Sequence, residues 1–299
     1  MKPPFVICGA TGNVGGRIAG VLLAAGEPVR AIARDRFRIG PLAAKGAEPW
    51  PGDVGDTEFL AKAFAGARAV FALIPPKPDA PDFRGYQNRI GDALVSALSK
   101  AGVGRIVTLS SIGAHLSEGT GPILGVHDLE AKLERLRDSD VVHLRPAFFM
   151  ENHLHGIPVI REHGVYGSPI RPDAPIPMVA TKDIGDEAAR LMRETFTGHA
   201  VRYLLGPRDL TMAEASRILG RSIGKPDLAY AQFPEEEARK AMAGTGMSDS
   251  TVAAMLEMYR GFNAGRIHAS RERNEENTTP TSLEEFSVSV FAPAYRAAA

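Results

Sequence analysis

Three glycines follow a short apolar run at three-residue spacing in the sequence FVICGATGNVGG, residues 5–16. Glycine lets the backbone approach a pyrophosphate closely, and the unpaired N–H groups at the start of a following helix attract its negative charge. Because a predicted strand precedes the loop and a predicted helix follows it, the motif predicts a dinucleotide site. We expect its contacts to come from Gly9, Thr11, Gly12, Asn13, Val14 and Gly15.

The end of the second predicted strand indicates which dinucleotide is bound. NAD-selective sites place a carboxylate there for the ribose diol, but the sequence has Ala33 followed by Arg34. A guanidinium suits the 2'-phosphate of NADP(H), although Asp35 beside it weakens its field. The other interpretation of Arg34 is a solvated charge at a strand end. The sequence therefore favours NADP(H) over NAD(H).

Two further strand ends are expected to border the same ligand. Asp53 and Val54 lie in GDVGD after the third predicted strand, where the carboxylate would accept a hydrogen bond from the adenine amine. Alone, GDVGD would indicate only a turn. Leu73 and Ile74 end the fourth predicted strand, where strand ends meet the cofactor cleft.

The elements that must position these residues alternate along the first half of the chain. Strands are predicted at the apolar runs FVIC, VRAIA, AVFALI, RIVTLS and VVHLRPA, and helical patterns lie between them. This alternation predicts an α/β fold with a doubly wound, parallel Rossmann sheet. We expect this NAD(P)-binding domain to span residues 1–155, with a contribution from about residues 179–210.

A smaller, mixed C-terminal lobe is expected over residues 156–299. Five prolines between residues 156 and 178 predict a long connecting loop, because proline interrupts helices and strands. Further along the chain, strands are expected at VRYLLG and LAYAQF. Helices are expected from near Asp183, at TMAEASRILGRSIG, from Pro234, from Ser248 and after Pro280.

The composition argues against several kinds of partner. Lys plus Arg and Asp plus Glu number 35 each, so no net field attracts nucleic acid or an acidic membrane surface. The single cysteine, Cys8, excludes an internal disulfide and fits a reducing compartment. No apolar run approaches the length that spans a membrane. We therefore expect a cytoplasmic protein with a small-molecule substrate.

Eight segments together carry a family resemblance: GATGNVGG at 9–16, Arg34, GDVGD at 52–56, VFALIPP at 70–76, LSSIGA at 109–114, HDLEAK at 127–132, LRPAFFMEN at 144–152 and VATKDIGDEAA at 179–189. With these segments the chain resembles the NmrA-like branch of the atypical short-chain dehydrogenase/reductase superfamily. The resemblance implies a Rossmann domain with a small C-terminal lobe and a preference for NADP(H). It also implies either reduction of quinones, enones and similar electrophiles or redox sensing without turnover.

The resemblance points to the predicted helix at HDLEAK as the place of catalysis. Active short-chain reductases pair a Tyr with a Lys four residues later, and the Lys helps the phenol to pass a proton to a carbonyl. Lys132 matches that Lys and would bind the nicotinamide ribose, but Asp128 stands in the place of the Tyr. His127 is the nearest replacement acid, or else a capping or solvent-facing histidine. Five residues of helix rotate it about 140° from Lys132.

The missing Tyr argues against simple alcohol dehydrogenation but not against quinone or enone reduction. That reaction needs hydride delivery above all, because the anion formed is delocalised and solvent can protonate it. Beside the nicotinamide we expect an apolar slot with polar contacts, lined by Ser111, Phe148, Phe149, Met150 and Asn152. Ser110, which precedes Ser111 at the same strand end, is a further candidate for holding a carbonyl. The other interpretation of the aromatic residues is ordinary core.

Two other patterns are not assigned to the site. His153 and His155 lie two residues apart, as zinc ligands on a strand do, but no third ligand joins them at metal spacing. We expect a surface loop there and no metal. Asp183 precedes an amphipathic run and is expected to cap the helix that begins there.

Three hypotheses for the function remain open at this point. The first is an NADPH-dependent reductase of a small quinone, enone or related electrophile. The second is a non-catalytic NADP(H) sensor that acts through a protein partner. The third and weaker one is a non-redox biosynthetic enzyme, with His127 or Asp128 as acid or base.

Overall fold

Seven parallel strands form a central sheet in the computed structural model, which describes residues 2–298. Short strands in the second half of the chain form two small sheets beside it. The strands are β1 (Phe5–Cys8), β2 (Val29–Ala33), β3 (Glu48–Pro51), β4 (Ala69–Ala72), β5 (Arg105–Leu109), β6 (Asp140–Pro146), β7 (Phe148–Phe149), β8 (Tyr166–Ser168), β9 (Ile176–Val179), β10 (His199–Leu204), β11 (Asp209–Leu210) and β12 (Tyr230–Gln232).

Helices connect the parallel strands and build most of the second half. They are α1 (Asn13–Ala24), α2 (Arg36–Ala43), α3 (Thr57–Phe64), α4 (Phe83–Lys100), α5 (Ile123–Leu133), α6 (Ile157–His163), α7 (Thr181–Arg193), α8 (Met212–Ser222), α9 (Glu235–Gly244), α10 (Asp249–Asn263), α11 (Leu283–Phe286) and α12 (Ala292–Ala297). A 3-10 helix covers Met150–Gly156 and a π-helical turn covers Ser287–Phe291.

The central sheet has the strand order β10-β6-β5-β4-β1-β2-β3. The order runs outward from β1 in one direction through β2 and β3, and in the other through β4, β5 and β6. Such a reversal opens a crevice at the carboxyl ends of β1 and β4, where open α/β sheets bind ligands. Both strands are completely buried, because helices cover the two faces of the sheet. The predicted doubly wound α/β fold is confirmed.

Beyond β6 the predicted long loop over residues 156–178 is wrong. The segment contains α6, β8 and β9 instead. Pro158 lies in the first turn of α6, where its missing N–H group costs no hydrogen bond. Pro177 is tolerated in β9 because that strand pairs for only two residues with each neighbour. The prolines therefore mark element starts and short pairings rather than one irregular loop.

The other predicted elements of the second half are confirmed. The helices α9 and α10 begin directly after Pro234 and Ser248, and the Ser248 hydroxyl accepts from the Thr251 N–H at 3.1 Å. Ser282 caps α11 in the same way, after Pro280. Among residues 2–298 no helix is both long and apolar enough to cross a membrane.

The segment around α7 and β10 returns to the central sheet. The edge strand β10 pairs with β6 in parallel, and the side chains of α7 pack on α1, where Asp186 accepts two hydrogen bonds from Arg17. This arrangement supports the division that we propose, with residues 1–155 and about 179–210 as the Rossmann domain and residues 156–299 otherwise as the smaller lobe.

Asp183 does not cap α7, contrary to the prediction. The helix begins at Thr181 after Ala180, and Asp183 lies within its first turn, buried. Its carboxylate accepts hydrogen bonds from the Thr281 N–H at 2.9 Å and from the Thr281 hydroxyl at 2.6 Å. Asp183 therefore fastens the C-terminal segment to the helix that packs against α1.

We expect Asp183→Ala to lower the free energy of unfolding by about 2 kcal/mol or more, because two buried donors lose a charged acceptor. Asp186→Ala on the same helix is the matched control, since it removes an exposed ion pair with Arg17 and should cost at most about 1 kcal/mol. Urea unfolding followed by circular dichroism measures both. Equal losses in the two variants would contradict the fastening role of Asp183.

Candidate functional site

The glycine loop closes on itself at the carboxyl end of β1. Gly9 has a φ of 66°, in the left-handed region that favours glycine, and its carbonyl accepts from the Gly12 N–H at 3.0 Å. A Cβ atom at Gly15 would lie 2.3 Å from the same carbonyl oxygen, so no larger residue fits there. The loop therefore holds the start of α1 directly against the end of β1.

The N-terminus of α1 is open to an anion. Its N-cap is Gly12, which offers no side chain, and its first turn carries no acidic residue. Asp56 and Asp82, in contrast, cap α3 and α4 with their carboxylates, 3.0 Å from the Phe59 N–H and 2.9 Å from the Gly85 N–H. The unpaired N–H groups and the positive end of the α1 dipole therefore suit a pyrophosphate.

Arg34 follows β2 and is exposed at the edge of the glycine loop. The Ala10 N–H of that loop donates to the Ile32 carbonyl at 3.1 Å, so the two segments are direct neighbours. The carboxylate of Asp35 turns into α2, where it caps the helix by accepting from the Phe37 N–H at 2.8 Å. Arg34 is therefore free to meet a phosphate at this edge.

A second guanidinium, that of Arg38, lies at the same edge and is not predicted by the sequence reasoning. It donates to the Thr11 carbonyl of the glycine loop at 3.1 Å. A hydrogen bond from Lys77 and the field of Arg34 both lower the pKa of Asp79, so Arg34 also lies near the loop between β4 and α4. The spacing of the two arginines, four residues apart, was the available signal.

The other predicted cofactor contacts also lie at the carboxyl edge of the sheet. Leu73 packs on the glycine loop, since a Cβ atom on Gly9 would lie 2.9 Å from its side chain. Ile74 is half-buried beside it. Asp53 is exposed and Val54 is buried. The Asp53 carboxylate accepts a hydrogen bond from the Gly55 N–H at 2.8 Å. Their contacts with adenine and nicotinamide stay predictions.

The helix α5 presents Asp128 and Lys132 to α4. The Asp128 carboxylate accepts two hydrogen bonds from Arg84, each at 3.1 Å, and one from the Asn88 amide at 2.8 Å. The Lys132 ammonium donates to Asn88 Oδ1 at 2.8 Å and pairs with Asp92 at 2.7 Å. Its contact with a nicotinamide ribose stays a prediction. Arg84 and Asn88 belong to no sequence motif and were not predicted.

His127 contacts a different part of the protein from Lys132. Its Nδ1 donates to the Ala114 carbonyl at 2.8 Å, in the loop between β5 and α5, whereas Lys132 bonds to α4. The divergence expected from their five-residue spacing is thus confirmed. A neutral His127 that donates through Nδ1 keeps only an acceptor at Nε2, so it could protonate a substrate only as the imidazolium.

Ser110 is not available to hold a substrate carbonyl with its proton. It is buried at the end of β5 and donates to the Glu130 carboxylate, which also accepts from Arg145 Nε at 3.0 Å. Arg145 in turn donates to the Tyr203 hydroxyl at 3.0 Å. Burial opposes the charge of Arg145, but the hydrogen bonds to Glu130 outweigh it and raise the pKa of the guanidinium. Ser111, the next residue, is half-buried.

The predicted aromatic slot lies where β7 meets the smaller lobe. Phe148 has ring neighbours on two sides, His153 at 5.4 Å and Phe262 of α10 at 6.2 Å between centroids. Phe149 is half-buried on the opposite face of β7, Met150 is buried and Asn152 is exposed. Their contact with a substrate stays a prediction.

A groove of about 690 Å³ is lined in part by Phe262, the ring neighbour of Phe148. Its apolar lining includes Pro177, Leu205 and Ile267. No predicted cofactor residue lines this groove. It is therefore a neighbour of the aromatic slot rather than part of the cofactor cleft.

The expected surface loop at His153 and His155 is wrong for the first of them. His153 is fully buried in the 3-10 helix, its Nδ1 lies 2.5 Å from the Tyr166 hydroxyl, and burial lowers its pKa to about 3. His155 is exposed. Within residues 2–298 no group of three or more His, Cys, Asp or Glu side chains could hold a metal ion.

The comparisons with known proteins agree with this geometry. A family model described as the NmrA-like family matches residues 1–287. An NAD(P)H azoreductase of Xenophilus azovorans is 28% identical over 85% of this chain and 86% of its own. A (4-alkanoyl-5-oxo-2,5-dihydrofuran-3-yl)methyl phosphate reductase of Streptomyces griseus is 32% identical over 80% of each chain. Quinone oxidoreductase 2 of Escherichia coli is 26% identical over 87% of this chain and 88% of its own.

A solved structure shares the whole architecture. It is the NADPH-dependent quinone oxidoreductase of Escherichia coli in complex with NADPH, with a TM-score of 0.81 and 23% identity. The match covers 96% of this chain and 99% of that one. This likeness shows the common fold.

We expect Arg34→Ala to weaken NADPH binding by about tenfold to a hundredfold, because a charge-assisted hydrogen bond to the 2'-phosphate is lost. Binding of NADH should change little. Arg36→Ala is the matched control, since Arg36 is an equally exposed neighbour in the first turn of α2. Titration of nicotinamide fluorescence measures the affinity of the unaltered protein and of each variant for NADPH and for NADH. A parallel loss for NADPH and NADH would contradict the selectivity role of Arg34.

His153 makes stability depend on pH in a defined direction. The His153 ring has a pKa of about 3 in the folded protein and regains its ordinary pKa of 6.5 on unfolding. As the pH falls from 6.5 towards 3 only the unfolded state gains this proton, so the stability of the folded protein decreases. Between about pH 7 and pH 5 we expect this group to lower the free energy of unfolding by about 2 kcal/mol. His153→Gln should lose this component and His155→Gln should keep it. Urea unfolding at both pH values measures the difference, and identical pH dependence in the two variants would refute it.

Proposed function

Since the chain belongs to the NmrA-like family, we propose that it is an NADPH-dependent oxidoreductase that transfers hydride to a small, flat electrophile, a quinone or an enone. The single observation that carries the choice of electrophile is the state of Asp128. Where active short-chain reductases usually have a proton-donating Tyr, this chain holds a carboxylate that already accepts three hydrogen bonds.

The residues at the carboxyl edge of the sheet fit NADP(H). The close approach of Gly15 to Gly9 leaves room only for backbone, and the open N-terminus of α1 would hold the pyrophosphate. Arg34 would meet the 2'-phosphate, with Arg38 next to it on the glycine loop. When bound, the nicotinamide supplies a hydride. Lys132 would bind the ribose beside it.

Asp128 cannot supply the proton that an alcohol product needs. Burial alone would raise its pKa, but the hydrogen bonds from Arg84 and Asn88 outweigh burial and lower it. The carboxylate is therefore ionised at neutral pH and donates nothing. An electrophile whose reduced form is a delocalised anion does not need such a donor, because water protonates it afterwards.

The printed activities of the relatives support the same class of substrate. They are an azoreductase, a quinone oxidoreductase and the reductase of an oxo-dihydrofuran, in which a double bond is conjugated to a carbonyl. All three acceptors are flat and conjugated. Phe148 and Phe149 are both half-buried, and each offers such a molecule an apolar ring on its own face of β7. We place the enzyme in a reducing compartment, the cytoplasm, in line with its single, buried cysteine.

The experiment follows nicotinamide absorbance and fluorescence while quinones, enones and azo compounds are added in turn to the protein with NADPH. We expect rapid consumption of NADPH with at least one conjugated acceptor and none with simple ketones. Because water is the expected proton source, His127→Gln should keep most of the activity. Lys132→Ala should weaken the binding of NADPH.

Binding of NADPH without consumption across the whole acceptor panel would contradict the reductase. That result would favour the second candidate, a non-catalytic NADP(H) sensor with a protein partner. Its mark is a difference in affinity between the oxidised and the reduced cofactor.

A further inference from the structure

Arg84 lies in the first turn of α4 and contacts Asp128, the carboxylate at the position where active short-chain reductases usually have a Tyr. Its Nε and one terminal nitrogen donate to the two oxygens of Asp128, which fixes the plane of the guanidinium. Of the two side chains, Arg84 is 51% exposed and Asp128 only 20%. The outward end of the pair is therefore the cation, and the carboxylate lies beneath it.

The surroundings keep Arg84 in this place. Asp128 receives a third hydrogen bond from Asn88, which in turn binds Lys132 one helical turn further along α5. Hydrogen bonds to Asp128 raise the pKa of Arg84, and the field of Glu257 on α10 adds to this. Arg84 thus stays charged at neutral pH, and its remaining N–H groups are free of Asp128.

We propose that Arg84 is a catalytic residue that stabilises the oxyanion formed when hydride reaches the acceptor. This inference rests on the proposed reductase function and assigns the electrostatic part of it. A guanidinium can stabilise a developing negative charge without giving up a proton, which is what the missing Tyr requires. Asp128 then acts as the positioning residue that orients Arg84.

The reaction balances without a protein-derived proton. A quinone gains one hydride, which carries two electrons and one proton, from the reduced nicotinamide, and the cofactor leaves oxidised. Hydride addition at one quinone oxygen would form the new O–H bond and leave the other oxygen as an anion beside Arg84. Water then gives one proton to that oxygen, and the neutral hydroquinone departs.

The first test is Arg84→Ala in single-turnover experiments, with the protein premixed with NADPH and then mixed with a quinone. Removing one oxyanion donor should slow hydride transfer by about tenfold to a hundredfold, with NADPH affinity unchanged. Added guanidinium ion, at concentrations that leave the protein folded, should restore part of the rate. Arg84→Lys should restore less, since it keeps the charge but loses the planar pair with Asp128.

A cationic triarylmethyl dye provides a second acceptor with the opposite charge balance. Hydride converts this cation into a neutral product, so no anion needs stabilisation. We expect Arg84→Ala to leave that rate unchanged or to raise it. The matched control is Arg208→Ala, an arginine with the same 51% exposure that donates to Glu284 of α11 instead of Asp128; it should leave both rates unchanged.

The outcomes separate the inference from the function on which it rests. If the unaltered protein consumes NADPH with quinones and Arg84→Ala does so equally fast, the role of Arg84 is wrong and the reductase stands. Equal slowing with the quinone and the cationic dye, without guanidinium rescue, would also overturn the role. If the unaltered protein reduces no acceptor, the proposed function itself has failed.

Discussion

The close approach of Gly15 to the Gly9 carbonyl fixes where α1 begins relative to the end of β1. A single Cβ atom at Gly15 would come within 2.3 Å of that oxygen, so α1 can begin directly at the end of β1 only with glycine there. This contact aims the positive end of α1 into the crevice between β1 and β4. The helix α7 packs on α1, and its Asp183 fastens the C-terminal segment. The packed pair of helices α1 and α7 therefore connects the cofactor cleft to the C-terminal segment.

Local constraints explain what the sequence could predict. The glycine loop, the individual strands and the helix starts at Ser248 and after Pro280 all depend on residues within a few positions of one another. The features that escaped prediction depend on distant partners instead. Arg84 and Asp128 are 44 residues apart, and Asp183 and Thr281 are 98 apart. No spacing rule in one sequence connects such positions, so a buried carboxylate is indistinguishable from a helix cap until the fold brings its partner near.

In the mechanism that we propose, catalysis depends on where charge is placed rather than on a proton-donating side chain. Asp128, Asn88 and Lys132 form a closed set of hydrogen bonds between α4 and α5, and this set leaves the guanidinium of Arg84 outermost. A site of this kind suits electrophiles that accept a hydride first and a proton later from water. The hydroxyl of Ser110 is likewise bound to Glu130 and the Nδ1 of His127 to a carbonyl, so these two side chains already have hydrogen-bond partners.

Kinetic isotope effects of the cofactor and of the solvent show directly whether a side chain donates a proton during hydride transfer. The measurement is the single-turnover oxidation of NADPH by a quinone, with 4-deuterated cofactor, in light and in heavy water. We expect slower transfer with the deuterated cofactor, no slowing in heavy water, and a rate that is constant between about pH 6 and pH 9. Slowing in heavy water together with a titration in that range would show that a protein group donates the proton, and would contradict the account.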